Sequence, residues 1–112
     1  MERKVTQWSK EEISELFKKS KNVYSDKNFS IHLSKSNFDS GKLLPGKLLV
    51  ITPKKSGNAP ERNLFRRRVK AIFFEEKLCE KQQDWIFIAK SNISKVTFEK
   101  LQTTVLRVLQ KF

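Results

Sequence analysis

Residues 47–74 read KLLVITPKKSGNAPERNLFRRRVKAIFF, and the two halves of this stretch obey different periodicities. Lys47-Leu48-Leu49-Val50-Ile51-Thr52 is an apolar run of strand length. Pro53 has no N–H to give to a ladder and stops it, so residues 47–52 are expected to form a buried strand. Ser56, Gly57 and Asn58 then break the chain, and Pro60 sits where a helix's first turn tolerates it. The spacing predicts a helix over residues 61–74. At ~100° per residue, Phe65, Val69, Ile72 and Phe73 share one arc, while Arg62, Asn63, Arg66, Arg67 and Lys70 fall on another. One arc belongs to a core and the other is cationic. Glu76 would land inside the apolar arc, so the regular helix is expected to stop before it.

Outward from this strand and helix, simpler patterns complete the chain. Ser9 and Glu12 have the spacing of a reciprocal helix cap, and Ile13, Leu16 and Phe17 follow at helical intervals, which predicts a helix over residues 10–19. Residues 28–34 alternate Phe29, Ile31 and Leu33 against Ser30, His32 and Ser34, the period of a strand with one apolar face. Residues 35–46 have the composition of a surface connection, with room for a short strand near residues 42–44. Asp84-Trp85-Ile86-Phe87-Ile88-Ala89-Lys90 is a second apolar run of strand length. Thr97 is placed to cap a last helix that carries Phe98, Leu101, Val105, Val108, Leu109 and Phe112 along one stripe. Helix, strand, strand, helix, strand, helix is the order of an α+β fold, a mixed α/β two-layer sandwich.

The chain has 112 residues, with 24 Lys and Arg against 12 Asp and Glu, a net charge of +12. That length holds one core and leaves no room for two domains, so residues 1–112 are read as one. Nine Phe among 12 aromatics supply enough apolar area to argue against disorder. No apolar run approaches the ~20 residues of a membrane span, and residues 1–10 are polar, so a cytoplasmic protein is expected. A single Cys, Cys79, allows neither an internal disulfide nor a thiolate zinc site, and no disulfide-linked partner is expected. With one His and one Cys, no nucleophile and base pair can be assembled, no carboxylate pair stands out, and no glycine-rich phosphate loop is present. A self-sufficient nuclease or nucleotide hydrolase is therefore not expected.

The charge is concentrated. Residues 54–70 carry seven basic groups (Lys54, Lys55, Arg62, Arg66, Arg67, Arg68, Lys70) against Glu61, so half of the excess lies in 17 residues. Arginine dominates the helical part, and its planar fork bonds a phosphate through two N–H groups where lysine offers a point charge. The break before the helix adds loop amides and the helix dipole to the same field. A polyanion is the implied partner, and nucleic acid fits a folded basic domain better than a lipid surface does.

The run from Lys54 to Arg67, with Lys54-Lys55, Gly57-Asn58-Ala59 and Arg62-Asn63 ahead of Arg66-Arg67, resembles the signature of the bacterial ribonuclease P protein subunit family. Leu64 stands at that signature's second Arg, Pro53 at a small polar position and Ile13 at an aromatic one. The likeness extends over most of the chain, including the first helix, the strand at residues 84–90 and the helix start at Thr97-Phe98-Glu99. It implies a sandwich similar to the second domain of a small-subunit ribosomal protein, with about four strands and a left-handed crossover at the signature helix. It also implies a non-catalytic subunit of a ribonucleoprotein that removes the 5′ leader of precursor tRNA, with Mg²⁺ bound by the RNA. In that setting Lys54, Lys55, Asn58, Arg62, Asn63, Arg66 and Arg67, with Lys70 on the same arc, would meet the RNase P RNA. Ile13, Phe17, Ser30 and His32 would line a cleft for the leader. Charge and element order by themselves also suit a ribosomal or other structural RNA-binding protein.

Overall fold

The computed structural model describes residues 9–35, 38–39, 42–43, 46–81 and 83–111. Helix α1 (Lys10–Lys19) is followed by strands β1 (Lys21–Ser25) and β2 (Phe29–Lys35), then by a two-stranded ribbon of β3 (Phe38–Asp39) and β4 (Lys42–Leu43). Strand β5 (Leu48–Ile51) leads through a 3₁₀ turn at Lys54–Ser56 into α2 (Ala59–Glu75). A second 3₁₀ turn, Leu78–Lys81, precedes β6 (Gln83–Ala89), and a third, Ile93–Lys95, precedes α3 (Phe98–Gln110). The four-stranded sheet has the order β1, β2, β6, β5. β6 is central, antiparallel to β2 and parallel to β5.

Register separates the two faces of this sheet. Phe29, Ile31 and Leu33 lie opposite Ala89, Phe87 and Trp85, and Leu48 and Val50 pair beside Trp85 and Phe87. With Val50 half-buried at the margin, the others join Phe65, Val69, Ile72 and Phe73 of α2 and Leu101, Val105 and Val108 of α3 in one buried cluster. Trp85, Phe29, Phe73 and Phe87 are fully buried there, each stabilising the fold by about 1.5–3 kcal/mol through lost apolar surface. The opposite face carries Ser30, His32 and Ser34 beside Ile88, Ile86 and Asp84. Helix α1 packs against β2, and its buried Leu16 lies outside the main cluster, which assigns α1 to this second face.

The alternation of residues 28–34 and the stripes of both later helices emerge as expected, and β6 occupies nearly the residues read from the apolar run. Three features differ. β1 went unrecognised because it holds only Val23 and Tyr24 as apolar residues, and a register shift between Asn22 and Tyr24 breaks its alternation. Of residues 47–52, read as a buried strand, Leu48–Ile51 form the edge strand β5, in which Leu48 is buried and Leu49, Val50 and Ile51 are half-buried. Helix α2 starts two residues before the expected position. The short strand expected near residues 42–44 appears as β4 at Lys42–Leu43, with Leu44 outside the described residues, as are Phe112 and the side chain of Glu12.

Two backbone constraints fix how the sheet closes. Gly46 donates its N–H to the Cys79 carbonyl at 2.9 Å, and a Cβ there would stand 2.0 Å from the Gln83 carbonyl oxygen, so only glycine lets the two segments approach. At the other end of the sheet, Asp26 organises the β1 to β2 turn. Its Oδ1 accepts the N–H groups of Asn28 at 2.7 Å and Phe29 at 2.9 Å, and its Oδ2 accepts the Tyr24 hydroxyl at 2.5 Å. Partial burial opposes the charged form, yet the three hydrogen bonds and the nearby Lys100 prevail and hold the carboxyl below its usual value. A carboxyl whose folded pKa is depressed stabilises the fold above its unfolded pKa, near 3.9, and loses that contribution as pH falls through the folded value. Asp26→Asn is therefore expected to cost about 1 kcal/mol at pH 7 in urea unfolding, after allowance for solvent screening, and the gap to the parent should close as pH drops below about 4. A gap that is constant with pH would contradict an ionised, hydrogen-bonded Asp26.

Candidate nucleic-acid interface

Helix α2 is held at its N-terminus by a reciprocal cap. Asn58 Oδ1 accepts the Glu61 N–H at 2.9 Å, and Glu61 Oε1 accepts the Asn58 N–H at 2.9 Å. This box, with Pro60 in the first turn, moves the helix start to Ala59. Asn58 thus has a structural duty as well as the RNA contact implied by the resemblance. Just ahead, the buried Ser56 donates its hydroxyl to the Pro53 carbonyl at 2.6 Å and closes the 3₁₀ turn, leaving Lys54 and Lys55 exposed.

The basic arc of α2 divides into two rows with different work. Arg66 donates through Nε to Thr52 Oγ1 at 2.9 Å and through Nη1 to Asn63 Oδ1 at 2.8 Å, tying the helix to the end of β5. Arg68 donates Nη1 to the Val96 carbonyl at 2.9 Å, which anchors the turn before α3. Arg62 is half-buried, and its buried Nε–H has no hydrogen-bond partner among the described residues. Asn63, Arg67 and Lys70 are exposed. The single cationic face read from the wheel is therefore an outward row, Arg67 and Lys70, beside an inner row that braces the helix against the sheet.

Beside this helix, at the carboxyl ends of the parallel pair β5 and β6, Pro53, Lys55, Ile88, Ala89, Lys90 and Ser91 line a cavity of about 540 Å³. Its far wall is rigid. Lys90 Nζ donates to Ser25 Oγ at 2.6 Å and to the Asp26 carbonyl at 2.9 Å, and Asn28 Nδ2 donates to the Ser91 carbonyl at 2.8 Å. Lys90 and Ser91 were not singled out in the sequence. The available signal was topological, since open α/β sheets place ligands outside the carboxyl ends of parallel strands, and the parallel pairing is not visible in a single strand's pattern.

The residues assigned to a leader cleft separate in exposure. Phe17 is 41% exposed although its neighbour Leu16 is 4% exposed, so α1 turns Leu16 to the sheet and Phe17 outward. Ile13 and His32 are half-buried. Ser30 is 3% exposed, paired across to Ser25 and Ile88 in the flanking strands, so of the four it presents the least side-chain surface. Burial, followed by the positive charge of Lys90, pushes the His32 pKa down, so at neutral pH its ring offers a hydrogen bond rather than a charge. Its Nε2 lies 3.4 Å from Asn22 Nδ2.

The fold and the distribution of charge define a small basic α+β sandwich with an arginine-rich crossover helix. A family profile described as ribonuclease P matches residues 1–112, and the chain belongs to the ribonuclease P protein family. It is 30% identical over 102 residues to the ribonuclease P protein component of Bacillus pumilus, an alignment covering 90% of this chain and 82% of that one. The corresponding component of Streptococcus agalactiae is 25% identical over 108 residues, covering 83% of this chain and 94% of that one. Among solved structures, the Staphylococcus aureus RNase P protein superposes with a TM-score of 0.75 at 21% identity, covering 97% of this chain and 95% of that chain. The Thermotoga maritima protein gives 0.72 at 20% identity, covering 96% of each.

No helix among the described residues is long and apolar enough to cross a membrane. The division of labour along α2 gives an expected outcome for stability alone. Asn58→Ala should lower unfolding free energy by about 1 kcal/mol through loss of the cap, whereas Arg67→Ala should stay within about 0.5 kcal/mol of the parent. Chemical denaturation of the two variants checks this, and equal losses would contradict the assignment of Arg67 to the free row.

Proposed function

We propose that the protein is the RNA-binding subunit of ribonuclease P, seating the enzyme's RNA on the outward face of α2 and its preceding turn, and guiding the 5′ leader of precursor tRNA along the cavity and the α1 side of the sheet. The observation that carries this reading is the signature segment itself. Lys54, Lys55, Arg67 and Lys70 project from one rigid turn and helix, while Arg66 and Arg68 hold that unit in place. Cations presented this way bind phosphates without reading sequence, and each contact releases counterions. Asn63 and the half-buried Arg62 sit at the same helix start and would add hydrogen bonds.

Lys55 and Lys90 supply charge at the cavity, and Phe17 supplies a ring on which any base can stack. Such a leader site tolerates any leader sequence. His32 and Ile13 would contribute edges of it, and Ser30 would act only as support for the strand. Cleavage of the phosphodiester belongs in this reading to the RNA. In the same reading the Mg²⁺ is bound by the RNA, and a cytoplasmic location goes with a tRNA substrate.

Reconstitution with a bacterial RNase P RNA tests the proposal. The protein should improve cleavage of precursor tRNA at low Mg²⁺, and Arg67→Ala with Lys70→Ala should weaken RNA binding and flatten its dependence on log salt by about one to two units. Phe17→Ala should weaken binding of leader-bearing precursor by about tenfold and leave mature tRNA nearly unchanged. A protein that neither binds the RNA nor aids cleavage would overturn the reading, and selective retention of ribosomal RNA would point instead to a structural RNA-binding role.

A further inference from the structure

The most exposed large apolar side chain described is Phe74, at 56%. It lies at the last turn of α2, on the solvent side rather than beside the buried Phe65, Val69, Ile72 and Phe73. At ~100° per residue it falls about 40° from Lys70 and about 20° from Arg67, between them in angle and one turn beyond Lys70. Its ring is not loose. It makes an edge-to-face contact with the fully buried Phe73, with centroids 5.6 Å apart and planes at 86°, an arrangement that favours one ring orientation.

The chemistry around Phe74 differs from that one turn earlier. The last turn of α2 holds no basic residue, and Glu75 and Glu76 follow directly, ahead of the exposed Lys77. Those acids and the negative end of the helix dipole both disfavour a phosphate at this point. What an RNA lying along Arg67 and Lys70 can offer there is a base. An aromatic ring stacks on any unpaired base, and does so best where a neighbouring cation holds the adjoining phosphate.

We infer that Phe74 is a stacking platform for an unpaired nucleobase of the RNA that binds α2, extending the interface over the full length of the helix. The inference rests on the reading of α2 as an RNA-binding face. It assigns Arg67 and Lys70 to the backbone and Phe74 to a base, so the phosphate contacts end one turn before the helix does.

Binding of a bacterial RNase P RNA transcript, measured as affinity against salt for the parent, Phe74→Ala, Phe74→Trp and Arg67→Ala proteins, tests it. Phe74→Ala is expected to lose about tenfold in affinity at every salt concentration with an unchanged slope, because a stacking contact releases no counterions. Phe74→Trp should restore the parental affinity, and Arg67→Ala should lower the slope by about one. Thermal melting should show Phe74→Ala folded, as an exposed ring allows. Parental affinity in Phe74→Ala alongside weakened Arg67→Ala would overturn the inference while leaving the RNA-binding reading intact. No effect of either substitution would instead overturn that reading itself. A lowered slope in Phe74→Ala would show the ring acting through its cationic neighbours, and a change in the free protein's sedimentation on Phe74→Ala would show it packing against a second copy. Either result would overturn the inference.

Discussion

The parallel pairing of β5 with β6 is the constraint from which the rest of the molecule follows. Parallel neighbours cannot be joined by a hairpin, because the chain must travel back along the length of the sheet before it can pair again. Here that return is α2, and its apolar arc pays out against the sheet through Phe65, Val69, Ile72 and Phe73. The start of α2 is thereby fixed beside the carboxyl ends of both strands. Lys54, Lys55, the cap at Asn58 and the cavity between Pro53 and Ser91 share one corner for this reason.

That corner is stiffened from three directions. Arg66 clamps α2 to Thr52, Arg68 clamps it to Val96, and Lys90 with Asn28 ties the end of β6 to the β1 to β2 turn. Each of these cations or amides donates to a neutral oxygen, so the basic residues brace the fold and keep their charge. The free cations then stand on a frame that does not need to reorganise when an anion arrives. Preorganisation of this kind lets charge be spent on binding rather than on ordering side chains.

Much of the fold was legible because periodicity survives in single elements. The alternation at residues 29–34 and the stripe of α3 need no knowledge of their neighbours, and a capping threonine marks the start of α3, where the Thr97 Oγ1 accepts the Lys100 N–H at 3.1 Å. β1 was not legible, since an edge strand with a register shift buries too little to imprint a pattern. Half-burial of β5 has the same origin, because an apolar run looks alike at the centre and at the edge of a sheet. The polar face of β2 shows a different limit. Ser30 alternates correctly, but alternation names a face and says nothing about what covers it, and here that side chain is buried.

The sequence by itself determined that the chain is a basic α+β domain, that its charge gathers at the start of one helix, and that this segment carries a family signature. Composition and spacing are properties of the chain and need no coordinates. Only the tertiary structure decided which of those cations are free. Arg62, Arg66, Arg67 and Arg68 are equivalent in a string, yet the helix's rotation against the sheet and the positions of Thr52 and Val96 leave Arg67 exposed and commit Arg66 and Arg68 to the fold. It likewise turned Phe17 and Phe74 outward beside the buried Leu16 and Phe73. The physical reason is the same in each case: exposure depends on which surface packs against a helix, and that surface comes from residues distant in the chain.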